Sequence, residues 1–306
     1  MRLTVLLTAV AVTVATTGAA TPIVRVDARA FQPGEVMSVT IDSADPAEAP
    51  RVTAFGRHAP VFNVPPTTWR ALVGIDLDVK PGAYDVTIET GPAEKRVRSV
   101  HAVTIIRKVF QTRRLTVAEA YVNPPPEVQA RIEAEAARLA ELFGAESASR
   151  LWTGAFLRPV PDPANSAFGS RSILNGQPRS PHGGTDFLSE AGTPVHAPNG
   201  GRVVLVGDLY YTGNTVVIDH GQGLVSLFAH LSAVNVQEGQ DVTTGALIGL
   251  VGATGRVTGP HLHWTVRLGN ARVDPLSLVA IARDGPTIGV ATRPPPGPRP
   301  RAAATQ

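Results

Sequence analysis

Six of the eight histidines in this 306-residue chain fall between positions 182 and 263, in or around three short patterns. These are His182-Gly183-Gly184-Thr185-Asp186, Ala229-His230-Leu231 and Gly259-Pro260-His261-Leu262-His263. In the third, residues 261–266 alternate as a strand does, so His261 and His263 project from one face, about 7 Å apart. Leu262, Trp264 and Val266 then point into a core. Two imidazoles side by side are costly unless something uses them. A metal ion does: one ring ligates while its neighbour reaches the water on the metal. In the first pattern the paired glycines argue against a helix. His182 and Asp186 can then converge from a loop and from a strand entered at Thr185. His230 ends a strand predicted over 224–230, on the face shared by Phe228 and Ser226.

The three patterns supply His, Asp and His as zinc ligands and leave a fourth position for water, the open arrangement of catalytic zinc. Zinc lowers the pKa of its bound water to about 7 and polarises a carbonyl. Two spare histidines beside that water can carry a proton and donate to a tetrahedral intermediate. The inventory suits amide hydrolysis without an HExxH helix, which the chain lacks. Cysteine is absent, which removes thiolate metal sites, disulfides and cysteine nucleophiles together. His58 and His101 lie far from the patterns, without partner spacing, and read as ordinary histidines.

The elements that must position these groups are mostly strands. Hydrophobic residues make up 43% of the chain and aromatics 5%, with 29 Gly and 27 Pro, a balance that favours short strands and turns over long helices. Residues 36–41, 83–88 and 97–106 alternate, and a small β-sandwich is predicted over 21–110. Residues 111–126 read as a connector. A helix follows, capped by Asn123, with Pro in its first turn and Gly144 as its stop. Val128, Ile132, Leu139 and Phe143 share one face of it, and Glu127, Arg131 and Glu135 lie four apart on another. The expectation is a packing helix that props one domain against the other, within a linking region over 111–150. From 151 to 285 the texture is Gly-punctuated strands, clearest at 202–206, 215–218, 224–230 and 261–266, then a short helix through Ala282. The predicted fold class is mainly β: an N-terminal small β-sandwich, a linking helix and a C-terminal antiparallel β-sheet domain.

The formal charge of +3 carries no nucleic-acid signal. Arg293, Arg299 and Arg301 account for it, in a Pro/Arg tail over 286–306 that reads as disordered, and no Lys/Arg run with interleaved aromatics appears. Residues 1–20 carry Arg2, then an uncharged apolar run ending in Gly18-Ala19-Ala20, the features of a cleavable signal peptide, with a retained membrane anchor as the alternative. Either way the remainder is expected outside the cytoplasm, in the periplasm, at the cell envelope or secreted. After cleavage no stable membrane insertion is expected.

At these residues the sequence resembles the lysostaphin/LytM-type zinc endopeptidases, peptidase family M23. The resemblance runs from Phe168-Gly169-Ser170-Arg171 to Val273-Asp274-Pro275. Between them lie Gly192-Thr193-Pro194-Val195, Gly213-Asn214, Ile218-Asp219-His220-Gly221, Gly239-Gln240, Ile248-Gly249 and Gly252-Ala253-Thr254-Gly255. It implies an antiparallel β-sheet groove with one zinc per chain on its floor. His182, Asp186 and His263 would be the ligands, and His230 and His261 the catalytic pair. His196 and His220 fall where the family has no ligand and read as structural. The implied substrate is peptidoglycan, at its stem peptides or crossbridges, and the N-terminal part reads as a positioning or inhibitory module. Two departures stand out. The family often has Gly-Ile-Asp where Gly184-Thr185-Asp186 stands here, and an acidic residue soon after the HxH where Trp264-Thr265-Val266 stands.

Overall fold

The structure, a computed structural model, describes residues 22–42, 48–119, 122–165 and 167–281. The export segment expected over 1–20 and the tail expected over 286–306 lie outside them. The described N-terminal strands are β1 (Ile23–Ala28), β2 (Val36–Asp42), β3 (Arg51–Ala54), β4 (Arg57–Ala59), β5 (Val61–Val64), β6 (Thr68–Gly74), β7 (Gly82–Thr90) and β8 (Val97–Ile105). They form two four-stranded antiparallel sheets, ordered β1-β2-β6-β5 and β4-β3-β7-β8. The alternation read in the sequence explains why. Met37, Val39 and Ile41 of one sheet and Val52, Val86 and Ile88 of the other meet in one buried cluster, as the inner faces of a sandwich do.

The connector holds more structure than expected. Strand β9 (Thr112–Leu115) runs parallel to β10 (Arg171–Leu174), which also pairs with β11 (Gln177–Pro178). Helix α1 (Pro126–Gly144) follows, with Pro at its start as expected. Asn123 does not cap it. The Asn123 amide donates to the Glu119 carboxylate instead, and the residue at the cap position, Pro125, has no side-chain acceptor to offer. The apolar face of α1 finds its partners on the C-terminal sheet. Phe143, with Leu139 and Leu142, packs on Leu205, Val217, Val225, Leu227 and Ala229. Arg131 pairs with Glu135 at 2.6 Å, and Glu135 accepts the Tyr210 N–H at 2.8 Å.

The C-terminal strands are β12 (Gly184–Phe187), β13 (Pro194–His196), β14 (Gly201–Leu209), β15 (Gly213–Gly221), β16 (Leu224–Val234), β17 (Asp241–Val242), β18 (Leu247–Val251), β19 (Leu262–Leu268) and β20 (Ala271–Val273). All nine join one sheet, along the path β12-β19-β16-β15-β14-β17 with the remaining three attached beside it. One face is apolar and sealed, with Phe187, Phe228, Leu231, Leu262, Trp264 and Val266 buried. Cross-strand pairing places Ala229, Leu227 and Val225 of β16 opposite His263, Thr265 and Arg267 of β19 on the other face. Helix α1 covers part of that face. The Arg267 guanidinium lies 4.9 Å from the Phe143 ring, four residues along β19 from His263.

Charge pairs join the sandwich to the sheet domain. Arg29 binds Glu35 at 2.8 Å and Asp274 at 2.5 Å, and Lys108 binds Glu35 at 2.9 Å. Burial alone would raise the Glu35 carboxyl, but Arg29 and Lys108 outweigh it and hold the group below its usual range. Arg272, within β20, reaches Asp76 at 2.5 Å, and the Ser277 hydroxyl on helix α2 (Pro275–Ile281) accepts the Val36 N–H.

Candidate active site

Register does the first part of the assembly. In the β12–β19 pair, Asp186 stands directly opposite His263, which is itself opposite Ala229 of β16. Asp186 and His263 therefore share the face that is not sealed by the core. His182 precedes β12 in a loop pinned at both backbone groups: its N–H donates to Ser170 and its carbonyl accepts from Gly169, each at 2.8 Å. Its ring stands edge-on to His263, with centroids 4.7 Å apart. Both rings address one carboxylate oxygen, since Asp186 Oδ1 lies 3.2 Å from His182 Nε2 and 2.8 Å from His263 Nδ1. One donor atom from each of the three residues falls within 4.8 Å of the others.

His230 reaches the site by a route that strand alternation does not foresee. The expectation put it on the face of Phe228, which is the buried core face. The chain instead bulges between Phe228 and Leu231, both of which stay in the apolar core, three positions apart rather than two. His230 itself adopts φ of +66°, the left-handed region that side-chain-bearing residues seldom occupy. That bend carries its ring to the opposite face, where its centroid lies 4.7 Å from that of His261 and 6.0 Å from that of His263. His261 precedes β19, bridged to Gly252, two residues from His263 and on the same face.

The surrounding hydrogen bonds set the proton positions. His230 Nδ1 lies 3.0 Å from the Thr254 carbonyl and His261 Nδ1 lies 3.0 Å from the Gly259 carbonyl. A carbonyl only accepts, so each ring carries a proton on Nδ1, and in its neutral form Nε2 is left as a base. The Thr254 carbonyl is fixed in turn by close approach of two backbones. A Cβ on Gly213 would stand 2.3 Å from the Thr254 carbonyl carbon. Burial, helped by the neighbouring His263, pushes the His230 imidazole down to about 4, so this ring is neutral near pH 7. Burial likewise lowers His263, against the pull of Asp186. For Asp186, burial would raise the carboxyl, but hydrogen bonds to His182 and His263 outweigh it and keep the group ionised far below the usual carboxylate range.

The structure thus brings together all five residues singled out in the sequence and leaves the other histidines apart. His220 is fully buried on β15, with its two nitrogens against the Gly200 carbonyl and the Ser226 hydroxyl. His196 lies on β13, His58 meets Thr53, and His101 meets Ser99. Supporting residues were legible only as departures or spacers. Gly184 packs its backbone against the His263 ring, the Thr265 hydroxyl lies 2.9 Å from His263 Nε2, and the Thr185 hydroxyl donates to Asp274.

The model of peptidase family M23 matches residues 180–275, which contain all five clustered side chains. A protein from Pseudomonas aeruginosa assigned to peptidase M23 has a crystal structure that superposes with a TM-score of 0.64 at 35% identity, covering 81% of this chain and 94% of that one. The chain belongs to peptidase family M23. Within the family, the peptidoglycan DD-endopeptidase ShyA of Vibrio cholerae is 51% identical over 85 residues, 28% of this chain and 20% of its own length. The DD-carboxypeptidase/endopeptidase Mpg of Neisseria meningitidis is 44% identical over 97 residues, 32% of this chain and 22% of its own. The match thus spans about a fifth of these curated relatives. In this M23 chain the matched segment coincides with the sheet that carries the site.

Proposed function

We propose that this chain is a zinc-dependent endopeptidase that hydrolyses peptide crosslinks of bacterial peptidoglycan. The observation that carries the reading is the convergence of His182, Asp186 and His263 donor atoms within 4.8 Å, beside two imidazoles that present Nε2. Two imidazole nitrogens and a carboxylate oxygen are donors that zinc accepts, and three of them leave a position open. Bound there, zinc would supply the charge that polarises a scissile carbonyl and acidifies a water.

The chain's own groups handle the protons. Asp186, ionised between two rings, holds His182 and His263 in place. His230 Nε2 takes a proton from the attacking water and, as imidazolium, releases it to the leaving amine. His261, when protonated at Nε2, donates a hydrogen bond to the developing oxyanion. Water and amide thereby become carboxylate and amine. Relatives named as peptidoglycan DD-endopeptidases support a crosslink as the substrate class. The apolar N-terminal run supports export to the envelope, and no described helix is long and apolar enough to cross a membrane.

The test compares wild type, His263→Ala and His261→Ala for zinc content and for muropeptides released from purified sacculi. Wild type should hold about one zinc per chain and release crosslink-cleaved muropeptides. His263→Ala should lose both, and His261→Ala should keep most of the zinc while losing cleavage. Wild type that holds zinc yet leaves crosslinks intact would replace the enzyme reading with a binding role.

A further inference from the structure

We propose that Thr265 is the positioning residue that holds the His263 ring with Nδ1 toward the ligand cluster, using one hydroxyl to serve both the metal-free and the metal-bound ring. This rests on reading His182, Asp186 and His263 as a zinc site. His263 turns Nδ1 toward Asp186, at 2.8 Å, and Nε2 toward the Thr265 hydroxyl, at 2.9 Å. A ligating nitrogen must offer a lone pair. With Nδ1 facing the ligand cluster, the ring proton of the metal-bound form must sit on Nε2 and be donated to Thr265 Oγ1. Without metal the proton sits on Nδ1, bonded to the ionised Asp186, and Nε2 becomes an acceptor. A hydroxyl carries one donor and two lone pairs, so Thr265 can turn from donor to acceptor as the ring changes state.

The setting leaves the ring little choice. Thr265 is 7% exposed, so solvent is a poor substitute for its hydroxyl. As a β-branched residue on β19 it holds a restricted rotamer. On the other side Gly184 presses on the ring edge, because a Cβ there would stand 2.8 Å from both Cε1 and Nε2 of His263. Thr265 acts through its 2.9 Å contact with His263 Nε2.

The experiment measures zinc affinity of the full chain by chelator competition, for wild type, Thr265→Val and Thr265→Ser. Removing an outer partner of a ligating histidine typically weakens metal binding about 10- to 100-fold, which is the loss expected for the nearly isosteric Val. Ser should restore most of the affinity. A second measurement needs no variant: nitrogen NMR of the zinc-loaded wild type should show the His263 proton on Nε2. Equal affinity in wild type and Thr265→Val, or a proton on Nδ1 in the zinc form, overturns the role of Thr265 while leaving the zinc site standing. Wild type that binds no zinc overturns the zinc reading itself, and the Thr265 role with it.

Discussion

Replacing Gly184 by alanine adds one carbon at the most crowded contact of the site. The new Cβ would stand 2.5 Å from the Trp264 carbonyl oxygen and 2.8 Å from Cε1 and Nε2 of His263, against 3.4–4 Å for ordinary contact. The Trp264 carbonyl belongs to β19 and cannot swing away. The β12 strand must therefore retreat by about 0.9 Å from that oxygen, or the shift be shared with a ring displaced by about 0.6 Å, at the expense of the 2.8 Å contact with Asp186. Overpacking of this kind costs about 1–3 kcal/mol. For a protein of this size that lowers Tm by about 2–4 °C per kcal/mol. The functional loss should be larger, because displacements of about 1 Å in a catalytic constellation cost roughly 10²-fold in rate. Gly183 supplies the control, since a Cβ there meets nothing within 4 Å and the backbone lies outside the left-handed region. Calorimetry, zinc titration and crosslink cleavage should therefore separate the neighbours: Gly183→Ala near wild type in all three, Gly184→Ala impaired in all three. Equal behaviour of the two variants would refute the idea that Gly184 sets the ring's place.

Acid should unfold the protein partly through His220. Burial pushes this imidazole down to about 4 from an ordinary 6.5, so between those values the unfolded chain binds a proton that the folded one does not. Stability contributed by the neutral ring is therefore complete above about pH 6.5 and falls as pH drops toward 4, by on the order of 3 kcal/mol. Denaturant titrations from pH 7 to 4 should show that loss, and His220→Gln should flatten the slope. Phe143 should be the anchor of α1: Phe143→Ala is expected to cost roughly 3–5 kcal/mol in denaturant unfolding, whereas Glu141→Ala, on the exposed side, should change little.

The candidate site was legible because five side chains of the right types stand at short spacings within strands and their entries. His182, Asp186, His261 and His263 needed only alternation and a bend to be placed. His230 did not follow alternation, because a bulge with positive φ reversed its direction, and neither Ala229 nor Leu231 announces one. The strands of the sandwich were legible from their apolar period. Strand β9 was not, since all four of its residues are exposed and it is held by a partner nearly sixty positions away. The apolar face of α1 said that the helix packs, but not on what. The ties between sandwich and sheet, such as Arg29 with Asp274, are charge pairs across most of the chain and leave no periodic trace. Thr185 and Thr265 looked like losses against the family pattern, yet both hydroxyls find partners around the site.

The account stands most directly on zinc-dependent release of crosslink-cleaved muropeptides from purified sacculi, measured by mass spectrometry before and after chelation. Wild type should cleave crosslinks, lose the activity on chelation and regain it with about one equivalent of zinc. Cleavage that survives complete zinc removal, or zinc-loaded wild type that releases nothing, would contradict it.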